Sequence, residues 1–185
     1  MGHDDNSMHA SDDRVGDVYL DAAALASRIV ELAAEIARDY DDRDPILVGS
    51  LKACVPFSTD LSRQLGILHA IDFVELAGYG QVETGGHEQI RFLKDLDLKI
   101  TGRHVILVDE VVDTGLTLHY LTRMFELREP ASLAAVALFD RPYRRLVDDL
   151  PLNYVGFTIP DEFFVGYGFD LDNRFRNLPD LHLVR

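Results

Sequence analysis

At 185 residues, 47% of them hydrophobic, the chain is long enough for one domain with a substantial core and too short to suggest two. A formal net charge of -14 argues against a broad nucleic-acid surface, which draws on clustered Lys and Arg, so an anionic ligand has to be held locally. No apolar run approaches the roughly 18 residues that cross a bilayer, the N-terminus lacks a secretory pattern, and the single cysteine, Cys54, supports neither an internal disulfide nor a cysteine-based zinc cage; a cytoplasmic protein with no membrane partner is expected.

Residues 1–17 are acidic and nearly free of large apolar groups, which predicts a disordered tail ahead of a single domain over 18–185. From Asp21 onward Leu25, Ile29, Leu32 and Ile36 recur at helical spacing, with Arg28, Glu31, Glu35 and Arg38 between them, an amphipathic helix. The short run Ile46, Leu47, Val48 predicts a strand buried on both faces, followed by a helix over 55–65 and a strand over 71–76. Glycines at 78, 80, 85 and 86 mark a mobile excursion before a returning strand at 89–94. Val105 to Val108 is the clearest buried strand, a helix follows over 117–127, and further strands are expected at 133–139, 154–158 and 181–184. Strands alternating with helices indicate an α/β fold with a mostly parallel central sheet flanked by helices.

The chemistry concentrates in HVILVDEVVDTGLTL, residues 104–118, where an apolar strand runs into Asp109, Glu110, Asp113, Thr114, Gly115 and Thr117. In open α/β sheets the ligand crevice lies beyond the carboxyl ends of the strands. Thr114, Gly115 and Thr117 offer hydroxyls and free amides at a helix N-terminus, a place for phosphate, and the acidic pair suits ribose hydroxyls or a hard cation. Asp113 and Thr114 alone would be read as a helix cap; the two further carboxylates upstream are more than a cap needs.

This segment resembles the phosphoribosyl pyrophosphate (PRPP) signature of type I phosphoribosyltransferases, and its surroundings resemble the hypoxanthine-guanine branch of that family. LVGSLKACVPFSTDLSRQL (47–65), FDRPYRR (139–145) and YVGFTIPDEFFVGYGFDLDNRFRNLPDL (154–181) continue the likeness over about residues 20–185. It implies the type I fold, with a small hood built from terminal segments and a mobile lid, in a homodimer or homotetramer. It implies Mg2+, PRPP and a purine base as ligands, with a 6-oxopurine converted to its nucleoside 5'-monophosphate and pyrophosphate. By the same resemblance Thr114, Gly115, Leu116 and Thr117 would hold the 5-phosphate, with Asp113 opening that loop and acting as general base toward N7. Asp109 and Glu110 would meet the ribose hydroxyls and magnesium; Leu51, Lys52, Ala53 and Arg176 the pyrophosphate; and Gly78 and Tyr79 would belong to the lid. Phe163 would stack on the purine, the Phe164 backbone would meet its edge, Asp170 would bind near the exocyclic group or a second magnesium, and Arg141 would face the 6-oxo group.

Read without the resemblance, Lys52 is also consistent with a solvated surface lysine, Tyr79 with a strand-end aromatic, and Phe163 and Phe164 with core positions. The chain also departs from the branch. The acidic pair runs Asp then Glu rather than Glu then Asp. Ala53 and Cys54 stand where two glycines are usual, which predicts backbone strain in the pyrophosphate loop. Arg141 replaces a lysine, in a chain whose only lysines are Lys52, Lys94 and Lys99. These departures keep two other readings open: a phosphoribosyltransferase for an unusual base, and a non-catalytic regulator that senses nucleotides.

Overall fold

The computed structural model describes residues 12–77 and 91–185. Strand β1 (Val15–Leu20) comes first, so the expected tail through residue 17 is overtaken by a strand from Val15, which is itself buried. Its partner explains why no local pattern announces it: β1 pairs antiparallel with the last strand of the chain. Helix α1 (Ala22–Asp39) starts where the Asp21 carboxylate accepts the Ala24 N–H at 2.7 Å, and it buries the predicted stripe of Leu25, Ile29, Leu32 and Ile36.

The succession then runs β2 (Ile46–Leu51), α2 (Val55–Gln64), β3 (Ala70–Ala77), β4 (Arg91–Lys94), β5 (His104–Val112), α3 (Leu116–Glu126), β6 (Ser132–Asp140), β7 (Leu152–Thr158), β8 (Phe164–Val165) and β9 (Leu181–Val184). Six strands form one sheet in the order β4-β3-β2-β5-β6-β7, parallel throughout except for β4, which returns antiparallel to β3. A second sheet, β1-β9-β8, is antiparallel and forms the hood. The predicted strand start at 89 and the lid residues Gly78 and Tyr79 lie outside the described residues.

Period-2 alternation sorts the central strands onto two cores. On β2 and β5, Leu47, Ile106 and Val108 face α1 and α2 with the hood, whereas Ile46, Val48, Val105 and Leu107 face Leu118, Leu121 and Phe125 of α3. The register of β5 against β6 continues past the apolar run, through Asp109↔Ala137 to Val112↔Asp140, so the acidic pair sits within the strand. The carboxyl ends of β2, β5, β6 and β7 thus point the same way, and the loops that follow them gather there. Among the described residues no helix is long and apolar enough to cross a membrane.

Candidate active site

A cleft of about 370 Å3 opens at the carboxyl end of β5, lined by Asp109, Val111, Val112, Asp113, Thr114, Gly115, Thr117 and Leu118. Gly115 immediately precedes α3 with φ of 80°, a left-handed conformation that suits glycine, and a side chain there would press on Leu150 and Arg145. The bend exposes the first amides of α3 to the cleft, where the helix dipole also favours an anion. Leu116 N–H reaches Thr114 Oγ1 at 3.4 Å, and the Leu146 N–H donates to the Thr114 carbonyl at 2.9 Å, fixing the loop from behind.

Strand alternation separates the acidic pair. Asp109 continues the α3 face and lines the cleft, whereas Glu110 continues the opposite face and is buried beneath the hood. Burial pushes the Asp109 carboxyl up to about 7, with the backbone N–H of Glu110 opposing and the charge of Asp113 adding to the rise. Glu110 is also raised well above the ordinary value, first by burial and then by the neighbouring Asp109 charge. Gly168, at φ of 101°, lies against Glu110 and not Asp109: a side chain on it would collide with the Glu110 carboxylate and with the Ala53 carbonyl, so this glycine lets hood, acidic strand and β2–α2 loop meet.

Four buried side-chain polar atoms lack a hydrogen-bond partner among the described residues, and three of them belong to this region: Glu110 Oε1, Asp113 Oδ1 and Arg141 Nε. Such atoms cost free energy unless something meets them. Asp113 Oδ1 is met by the Arg141 guanidinium as an ion pair at 3.3 Å, which leaves Glu110 Oε1 and Arg141 Nε for something else to meet.

The pyrophosphate-loop candidates Leu51, Lys52 and Ala53 connect β2 to α2, with Lys52 exposed. The strain expected at Ala53 and Cys54 is not found. Cys54 is right-handed at φ of -64° and leads directly into α2, and neither residue has positive φ, so both accept a side chain without distortion. The Cys54 thiol is buried and pushed up to about 12, chiefly by that burial, which leaves it protonated and unreactive at neutral pH.

On the hood, Phe163 is 84% exposed, which removes the core alternative for it, whereas the Phe164 side chain is buried against Tyr19 and Phe169. Arg176 ion-pairs with Asp170 at 2.6 Å and donates to the Gly168 carbonyl at 2.7 Å. It lines a separate depression of about 510 Å3 between α1, α2 and the hood, not the cleft of Asp109 and Asp113. Arg141 is buried, with Nη1 3.3 Å from Asp113 Oδ1 and Nη2 donating to the Glu162 carbonyl at 3.0 Å. Arg144 and Arg145 carry no role in the sequence reading. Arg144 reaches Asp113, and Arg145 pairs with Asp140 beside Gly115; their signal was a basic pair just beyond the carboxyl end of β6.

Among the described residues no three carboxylate, His or Cys side chains converge as a metal cage. The fit to magnesium is nevertheless good, since that ion keeps waters and substrate phosphates and needs only one or two protein carboxylates. Asp109, which lines the cleft, is such a donor, whereas the Glu110 carboxylate lies on the opposite face of the sheet.

A family model described as phosphoribosyl transferase domain matches residues 16–172. The chain is 40% identical over 165 residues to a hypoxanthine phosphoribosyltransferase of Escherichia coli, covering 88% of this chain and 92% of that protein. It is 34% identical over 168 residues to a hypoxanthine-guanine phosphoribosyltransferase of Bacillus subtilis, covering 91% and 92%. Among solved structures, a hypoxanthine-guanine phosphoribosyltransferase from Bacillus anthracis superposes with a TM-score of 0.85 at 39% identity, covering 93% of this chain and 98% of that one. A hypoxanthine phosphoribosyltransferase from Staphylococcus aureus superposes with a TM-score of 0.88 at 32% identity, covering 99% and 97%.

Proposed function

The chain belongs to the phosphoribosyl transferase domain family, and from that premise we propose that it converts a 6-oxopurine and PRPP to the nucleoside 5'-monophosphate and pyrophosphate, as a purine-salvage enzyme. The observation that carries this reading is the cleft at the end of β5, where the glycine-opened start of α3 and the carboxyls of Asp109 and Asp113 lie together.

In this reading the amides and hydroxyls of residues 114–117 hold the 5-phosphate, and Asp109 and Glu110 receive the ribose hydroxyls. N9 of the base bonds to the anomeric carbon as the bond to the pyrophosphate oxygen breaks, and Asp113 accepts the proton that the base gives up at N7. Phe163 covers the base, Arg141 donates to its 6-oxo group, and residues 51–53 receive the leaving group. Arg176 and Asp170 are held together by their ion pair, so their roles toward pyrophosphate and the exocyclic group require that pair to open. Magnesium, when bound at Asp109, would offset charge on the leaving pyrophosphate. A homo-oligomer in the cytoplasm completes the proposal.

The test is magnesium-dependent pyrophosphate release from PRPP with hypoxanthine, guanine, xanthine or adenine in separate reactions. Turnover with hypoxanthine or guanine is expected; silence with both, alongside turnover of another base or none, would overturn the assignment.

A further inference from the structure

The turn after β6 is fastened to the hood at three points. Arg141 Nη2 donates to the Glu162 carbonyl at 3.0 Å, the Tyr143 hydroxyl donates to the Ile159 carbonyl at 2.7 Å, and Arg144 Nε lies 3.4 Å from Asp161 Oδ1. All three contacts fall on residues 159–162, immediately before the exposed Phe163. The two arginines of this turn also hold the Asp113 carboxylate, one on each oxygen: Arg141 at 3.3 Å from Oδ1 and Arg144 at 3.7 Å from Oδ2.

The guanidinium of Arg141 is itself immobilised. It lies 5.5 Å from the Phe164 ring centroid and 5.7 Å from that of Phe169. A planar fork can bridge two acceptors in fixed directions, as this one bridges Asp113 and Glu162, whereas a lysine ammonium is a point charge on a flexible stem. Arginine at position 141 thus gives this chain a rigid strut.

We propose that Arg141 and Arg144 are positioning residues that carry the placement of segment 159–163 to the Asp113 carboxylate, so that seating a base against Phe163 and orienting its proton acceptor become one event. The proposal rests on the functional reading above. It goes beyond donation to a 6-oxo group, because the Arg144 side chain pairs with Asp113 and Asp161 and has no role toward the base in that reading.

Arg144 and Asp161 are both partly exposed, with side-chain exposures of 44% and 57%, so their substitution leaves the fold intact. The experiment is a double-mutant cycle on the full chain, Arg144→Gln and Asp161→Asn, with initial rates measured for hypoxanthine and guanine. Each single variant should lower kcat by about two- to fivefold, as suits a partly exposed pair, with the KM for PRPP within about twofold of the unaltered protein. The double variant should be no slower than the poorer single one. Arg141→Lys, which keeps the charge and removes the strut, should lower kcat by about tenfold and raise the KM for the base more than that for PRPP. Multiplying single effects in the double variant, unchanged kcat in both singles, or an equal rise in both KM values for Arg141→Lys would each overturn the proposal. Silence of the unaltered protein with every base would sink the functional reading and this inference with it, an outcome distinct from an active protein with uncoupled variants.

Discussion

Two groups of buried acids stand in this molecule, and they are treated in opposite ways. Asp72 on β3 accepts the N–H groups of Phe73, Asp97 and Leu98 at 2.7 to 2.9 Å and lies 3.4 Å from the Lys94 ammonium. Burial alone would raise its pKa, but the Leu98, Phe73 and Asp97 amides and the Lys94 charge reverse that, and the carboxyl ends below its ordinary value. On β5 Glu110 is buried and Asp109 half-buried, with far fewer donors, and both rise. Asp72 pins the chain returning from β4 onto the sheet and is complete by itself. The β5 pair is finished only by something that brings cations or hydroxyl groups. Burial of an acid is therefore uninformative here until its donors are counted.

The comparison is sharpened first by a third carboxylate that lies in the cleft but is paired with arginines. Asp113→Asn should cut turnover by about 100-fold or more, a general-base effect, while leaving PRPP binding and the melting temperature close to those of the unaltered protein; steady-state kinetics and a thermal melt check both. A comparable loss of PRPP binding would mean that Asp113 serves the phosphate rather than the base.

Asp109→Asn comes next, and it should move activity and stability in opposite directions. Turnover should fall by about tenfold or more, yet the ligand-free protein should melt higher. The sign follows from the raised pKa: between the ordinary value of 3.8 and about 7 the unfolded chain releases a proton that the folded protein retains, so stability is progressively lost as pH rises through that window. The gain from the amide should thus be greatest above pH 7 and shrink toward pH 4. A variant that melts lower at pH 8 would break the contrast.

Asp72→Asn is the mirror case and the smallest expected effect on turnover. It should cost about 2 kcal/mol of stability, the scale of hydrogen bonds to a charged group, with kcat within about twofold. Because the folded pKa is depressed, this contribution is present above about pH 4 and lost as pH falls through the folded value, so the two melting curves should converge in acid. Destabilisation that does not shrink at all as pH is lowered from 7 to the acid limit of folding would show that packing, not charge, was removed.

Much of this was legible in the sequence, for reasons that differ by region. The strand at Val105 to Val108 and the stripe Leu25, Ile29, Leu32, Ile36 declare themselves because their periods report which face is buried. The cleft residues Asp109, Asp113, Thr114, Gly115 and Thr117 were found together because they are contiguous. What the one-dimensional pattern lacked was depth. It treated Asp109 and Glu110 as an equivalent pair, whereas the pleat sends them to opposite faces of the sheet. It read Ala53 and Cys54 as strained by analogy with glycines, although Cys54 is right-handed and neither residue has positive φ. It missed β1, because the strand's partner lies at the far end of the sequence. Arg144 escaped for the same reason, since Asp113 and Asp161 are distant in the chain.

The pairing of β1 with β9, from Val15 against Val184 to Leu20 against Leu181, also orders events during synthesis. The strands that shape the phosphate cleft, β2, β3, β5 and β6, are complete once residue 140 has left the ribosome, and each lies beside a neighbour made shortly before or after it. The hood must instead close a loop spanning nearly the entire polypeptide, the contact with the greatest entropic cost. A nascent chain thus completes the strands around Asp109 and Gly115 before β1 has a partner, so the two ends of the polypeptide are the last to be joined.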